Sequence, residues 1–217
     1  MKNFKRLDCD PFTVFIDTYS QPKTINTHQH EDVLSYVLYK GTTPVLVDSG
    51  RVSYAARDRY LDASYHSGFA DPQWPVRPHP RFFFCGRLLM QEQVVEKITQ
   101  TEAVLVASNR LLSLTKRLRF LYGNGALSAT EELETKRATV QGKLFHIFAD
   151  CSVEKTSEHA VMHRASRTAF TYFDAHAVQI EMVERAVDYG KTLPCQRVTV
   201  LPHAGVNKIS WAAEPEV

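Results

Sequence analysis

An all-β fold, an antiparallel multi-stranded β-sandwich with at most minor helix, is the class this sequence predicts. Three observations carry the prediction. Short runs rich in β-branched and aromatic residues recur along the chain, Gly, Pro, Asn, Asp and Ser punctuate the gaps between them, and long apolar stripes at helical spacing are scarce.

Residues 11–17 read PFTVFID, 33–39 read VLSYVLY and 44–48 read PVLVD, each a strand bounded by turn residues. Gly41-Thr42-Thr43 makes a short hairpin connection between the second and third. Further strands are expected at 81–84, 103–107, 117–122, 144–149, 168–173, 178–183 and 197–201, at the spacing of a sandwich or barrel. Segments 89–97 and 127–137 each read either as a helical turn or two or as strand and loop. Residues 70–80 hold four prolines, which break a ladder and favour an extended surface connection.

With 217 residues the chain can bury a sizeable core, and one domain spanning 1–217 is expected. Hydrophobic residues at 44% and charged residues at 23% exclude a disordered tail or a fibrous repeat. A net charge of +2, scattered rather than blocked, argues against a nucleic-acid partner and is compatible with an anionic glycan. No run reaches membrane-spanning length, so no membrane insertion is expected. No apolar run follows the basic N-terminus, so the chain as written reads as cytoplasmic. Cys9, Cys85, Cys151 and Cys195 are far apart with no CxxC pair and read as small buried hydrophobes.

The chemistry concentrates in Thr27-His28-Gln29-His30-Glu31-Asp32. Imidazoles at i and i+2 of an extended segment share a face, where they can hold a metal or meet a substrate, although such a pair also describes ordinary polarity at a sheet margin. Asp48, ending a strand before Ser49-Gly50, and His66, in a Tyr-His-Ser-Gly turn, can complete a zinc-type donor set; equally, Asp48 can open a turn and His66 can be an exposed loop histidine. A flat hairpin turning at 41–43 sets Asp48 opposite Tyr36, roughly 20 Å along the strand from His30. Building one site therefore requires a bend or bulge, or His30 on a segment before the pairing begins.

The stretch His28-Gln29-His30-Glu31-Asp32-Val33-Leu34-Ser35-Tyr36, then Gly41, then Pro44-Val45-Leu46-Val47-Asp48-Ser49-Gly50 and Tyr54, resembles the C-terminal signature of heparinase II/III-like polysaccharide lyases. That signature is His-x-His-x-Asp-x-Leu-Ser-aromatic, a glycine, and a β-run ending Val-Asp-x-Gly. The likeness departs at His66-Ser67-Gly68, where the family has His-Asn-Thr, and at Asp62-Ala63-Ser64, where it has Arg-Ser-Thr. A cupin, which also uses His-x-His, requires Glu four or five residues after the second His, where this chain has Leu34 and Ser35.

The resemblance implies a supersandwich-like fold, a zinc ion held by His30, Asp48 and His66, and His28 facing substrate as the catalytic residue. Asp32 and Ser35 then read as hydrogen-bond partners of the ligating imidazoles or equally as ordinary strand-margin polarity, and Arg57 and Arg59 as contacts to an acidic sugar or as a solvated surface pair. The implied reaction is β-elimination on a uronic-acid-containing glycan, in the periplasm or cell envelope. Family enzymes carry a helical toroid before this sandwich, and only 27 residues precede His28. The toroid is thus expected to be absent, leaving the chain inactive unless it pairs with a separately encoded toroid subunit. The alternative is a non-catalytic glycan-binding or structural sandwich left from a split or truncated lyase.

Overall fold

A computed structural model describes residues 4–18, 33–50, 63–73, 94–109, 113–137, 139–188 and 190–216. Its first sheet runs β1 (Phe4–Cys9), β2 (Phe12–Asp17), β3 (Tyr36–Lys40), β4 (Thr43–Leu46), in that spatial order. After a single 3₁₀ turn at Ala63–Tyr65 come β5 (Gly68–Ala70), β6 (Val94–Ile98), β7 (Glu102–Asn109), β8 (Leu114–Gly123), β9 (Ala126–Thr135) and β10 (Lys143–Ile147). The chain ends with β11 (Val153–Ser157), β12 (Ala160–His163), β13 (Thr168–Phe173), β14 (Ala175–Asp188), β15 (Lys191–Pro202) and β16 (Lys208–Pro215).

A second sheet has the order β14-β15-β10-β5, and an eight-stranded sheet the order β11-β12-β13-β16-β9-β8-β7-β6. Among the described residues every strand pairing is antiparallel. The two four-stranded sheets merge where β4 ends. Leu46 bridges Phe148, Val47 N–H donates to the Ile147 carbonyl at 2.8 Å, and Ala149 N–H donates to the Val45 carbonyl at 3.1 Å. The merged surface packs on the eight-stranded sheet around the larger of two apolar clusters, in which Phe12, Leu38, Phe69 and Phe148 meet Phe120, Phe170 and Trp211. The predicted all-β sandwich is what the chain forms.

Period-2 burial explains the layers. Along β8, Leu114, Lys116, Leu118, Phe120 and Tyr122 face inward, and along β9 Leu127, Ala129, Glu131 and Leu133 do. Residues 127–137, open between helix and strand in the sequence, are mostly strand. Ala, Leu and Glu favour helix, but pairing with β8 on one side and β16 on the other overrides that preference. β14 and β15 extend well beyond the predicted 178–183 and 197–201. Pro194 is tolerated in β15 because it lies beyond the stretch that pairs with β10.

Strands β1, β5, β11, β12 and β16 come in addition to those the sequence predicts. Of these, β1 and β11 are polar edge strands. The expected strand at 81–84 and the first part of 89–97 lie outside the described residues. Cys9 and Cys195 are buried as expected, and burial pushes each thiol up to about 11. Cys151 is exposed, a correction to its expected burial, and Cys85 lies outside the described residues. Among the described residues no helix is long and apolar enough to cross a membrane.

Candidate functional site

The site forms where the chain leaves one sheet for another. β4 pairs Thr43 with Lys40 and Pro44 with Tyr39, then slips one residue at Val45 so that Leu46 faces Leu38. That bulge, and the transfer of Val45–Val47 to β10, carry Asp48 away from a plain hairpin course. Before β3, residues Val33 and Leu34 form a turn with Leu34 at φ 54°. Such a conformation is costly for a leucine, and full burial of Leu34 together with a bond from Lys116 Nζ to the Val33 carbonyl at 3.0 Å hold it there.

Asp48 and His66 meet at this junction. His66 Nδ1–H donates to Asp48 Oδ2 at 2.8 Å, with the imidazole 2% and the carboxylate 37% exposed. Asp48 Oδ1 accepts the Gly50 N–H at 2.7 Å, which fixes the carboxylate's rotation. Gly50 itself adopts φ +66°, and a Cβ there would sit 3.0 Å from the Ala186 carbonyl oxygen, so only glycine fits both demands.

The segment bearing His66 is held on both sides. Ser49 N–H and Ser49 Oγ–H both donate to the Tyr65 carbonyl. Ser67 Oγ donates to the Val47 carbonyl at 3.3 Å and accepts the Ile147 N–H at 3.0 Å, while the Ser67 carbonyl accepts the Tyr36 N–H at 3.1 Å. Ser67 and Gly68, where the sequence departs from the family pattern, are therefore structural here. Gly68 has φ +148°, and a Cβ would approach Lys116 Nζ to 3.0 Å.

Behind the pair lies a dry polar knot. Glu131 Oε1 accepts Tyr36 Oη–H at 2.6 Å and Trp211 Nε1–H at 3.1 Å, and Oε2 accepts the Phe69 N–H at 2.7 Å. Tyr36 Oη, donating to Glu131, accepts from His146 Nε2 at 2.9 Å, so His146 Nδ1 accepts from Tyr172 Oη at 3.0 Å. Burial drives the His146 imidazole down to about 3, keeping it neutral, and burial likewise pushes both tyrosines well above the usual phenol range. None of these residues was a sequence candidate. The available signal was a carboxylate, Glu131, at an inward position of an alternating strand.

In front, a cleft of about 720 Å³ is lined by Asp48, Asp17, Ser35, Tyr36, Phe15 and Tyr39 among others. Ser35 is buried beside the site, and its carbonyl accepts the Asp17 N–H at 2.8 Å. The candidates His28, His30, Asp32, Arg57 and Arg59 lie outside the described residues. Among the described residues no three His, Cys, Asp or Glu side chains gather to hold a metal. Asp48 and His66 are nonetheless oxygen and nitrogen groups of the kind zinc takes, on separate segments. For both to ligate through the facing atoms, the metal would replace the proton that Nδ1 now shares with Asp48.

The sequence profile of the family described as heparinase II/III-like, C-terminal, matches residues 3–69, a span that includes Asp48 and His66. That match makes the first third of the chain similar to the family's C-terminal domain. Solved structures share its fold, two of them as follows. A heparinase III superposes with a TM-score of 0.69 at 11% identity, covering 93% of this chain and 32% of that one. The heparan sulfate lyase HepC from Pedobacter heparinus gives 0.69 at 14% identity, covering 94% of this chain and 33% of that one. The chain thus spans about a third of the length of either enzyme. No curated protein sequence matches it.

Proposed function

We propose that this chain is the sandwich part of a polysaccharide lyase that cleaves an acidic, uronic-acid-containing glycan by β-elimination. The observation that carries the reading is the meeting of Asp48 and His66 at 2.8 Å inside the family-matched segment. His30, Asp48 and His66 would hold zinc. When bound, the ion braces the cleft wall and orients the imidazoles, since elimination consumes no water. Ser35 and Asp32 would hydrogen-bond to the ligating rings.

Elimination requires the uronate carboxylate to be neutralised, the C5 proton removed and the departing O4 protonated. His28 serves one of the first two tasks, and Arg57 and Arg59 pair with the anionic sugar. The remaining proton transfer is assigned to a helical toroid, present on the same polypeptide or as a separate subunit, at the periplasm or cell envelope. The solved relative acting on heparan sulfate makes that glycan the first to test.

The 217-residue chain is expected to bind about one zinc, with His30→Ala and Asp48→Ala each abolishing binding in elemental analysis. Full stoichiometry in both variants removes the metal assignment. Alone, the chain is expected to yield no unsaturated uronate by ultraviolet absorbance, and a toroid subunit added in trans to restore product. Zinc binding with no turnover under either condition favours a non-catalytic glycan-binding sandwich.

A further inference from the structure

Residues 181–197 lie far outside the family-matched span 3–69, yet they grip the turn that delivers His66. Arg197 on β15 is only 14% exposed. Its Nη1 donates to the Ser64 carbonyl at 2.7 Å, and its Nε donates to Glu181 Oε1 at 3.0 Å. Its guanidinium lies over the Tyr65 ring, 5.1 Å from the centroid, with the Phe145 ring at 5.8 Å. One planar cation therefore holds both residues that immediately precede His66.

The same hairpin reaches the other partner. Ala186 on β14 donates its N–H to the Ser49 carbonyl at 2.7 Å, next to Asp48. Ser49 in turn donates to the Tyr65 carbonyl, the residue beneath Arg197. The loops carrying Asp48 and His66 thus share one external support, made by β14 and β15.

We infer that Arg197, braced by Glu181, is a positioning residue that sets the His66–Asp48 contact and, through it, the zinc affinity of the site. The zinc part rests on the functional reading above. A guanidinium suits the task because it donates in two fixed directions while stacking on a ring, whereas an ammonium supplies charge without the fork or the plane. A residue that merely fastened the hairpin would change stability and leave the imidazole's environment untouched.

The test uses the full chain and two readouts. Zinc dissociation constants come from competition with a chromophoric chelator, and the nitrogen-15 resonance of His66 Nδ1 is recorded without metal. Arg197→Gln is expected to weaken zinc about 10- to 100-fold, as loss of support behind a metal ligand does, and to shift the His66 resonance. Arg197→Lys is expected to recover part of both. Glu181→Gln, a change at a half-exposed side chain that leaves Arg197 in place, should move the resonance in the same direction by less, so a folding defect in Arg197→Gln leaves the question decidable. Native zinc affinity with an unmoved resonance in Arg197→Gln or, if that variant does not fold, an unmoved resonance in Glu181→Gln overturns the inference. Absence of zinc binding by the unaltered chain overturns the metal reading alone, because the metal-free resonance still decides the clamp.

Discussion

Two polar clusters, one in front of the merged sheets and one behind, show how differently the same residue types are used. In front, His66 and Asp48 meet beside an open cleft, with the carboxylate 37% exposed. Behind, Glu131 and His146 are fully buried and hydrogen-bonded to neighbouring aromatic side chains. Of the front pair, the Asp48 carboxylate keeps access to solvent and ligand, while the His66 imidazole sits behind it, almost fully buried. The rear knot gives up access and gains rigidity, because a dry polar group is tolerated only when bonded. The two are mechanically joined, since Glu131 holds the Phe69 amide close after His66 in sequence, and Tyr36 follows Ser35.

The sharpest way to break that division is Glu131→Leu. It strands the Tyr36 hydroxyl, the Trp211 indole N–H and the Phe69 amide, at about 1–3 kcal/mol each. Urea unfolding should show a loss on the order of 4 kcal/mol or more. A loss below about 1 kcal/mol would mean the knot anchors nothing.

Acid comes next. The folded chain holds His146 neutral down to about 3, while the unfolded chain takes up that proton near the ordinary 6.5. Below the unfolded value the unfolded state binds more protons, so stability is complete above it and falls by about 1.4 kcal/mol per pH unit toward the folded value. Burial also lowers His163, despite the opposing pull of Asp150, which adds in the same direction. Unfolding free energies measured from pH 7 down to pH 4 should decline; a flat profile contradicts the dry setting of His146.

Gly50→Ala probes the front. It forces a side chain into a left-handed conformation against the Ala186 carbonyl, costing about 1–2 kcal/mol in thermal unfolding and turning the Asp48 carboxylate. Arg6→Ala marks the other limit. Its ion pair with Asp8 has both side chains more than half exposed, and its removal should change stability by less than about 0.5 kcal/mol.

What the sequence made legible follows the same boundary between local and non-local causes. The strands β2, β3 and β13 announce themselves because β-branched and aromatic residues cluster within each. Segment 127–137 does not, because its helix-favouring composition is overruled by two neighbours distant in sequence. For the site, family resemblance named Asp48 and His66. Residue spacing alone could not bring them together, because their meeting depends on β4 slipping at Val45 and crossing to β10, whose partner residues lie far along the chain. Arg197 was invisible for the same reason, being one basic residue among many until Tyr65 is placed beneath it.

The Glu131 carboxylate has a kinetic consequence. By joining the Phe69 amide on one sheet to the Trp211 indole on the other, it links the segment after His66 to the facing layer. Local breathing of that segment should therefore be suppressed, and the Phe69 amide should exchange its hydrogen only as fast as the whole domain opens. A candidate binding loop would then have the lifetime of the core rather than that of a surface turn.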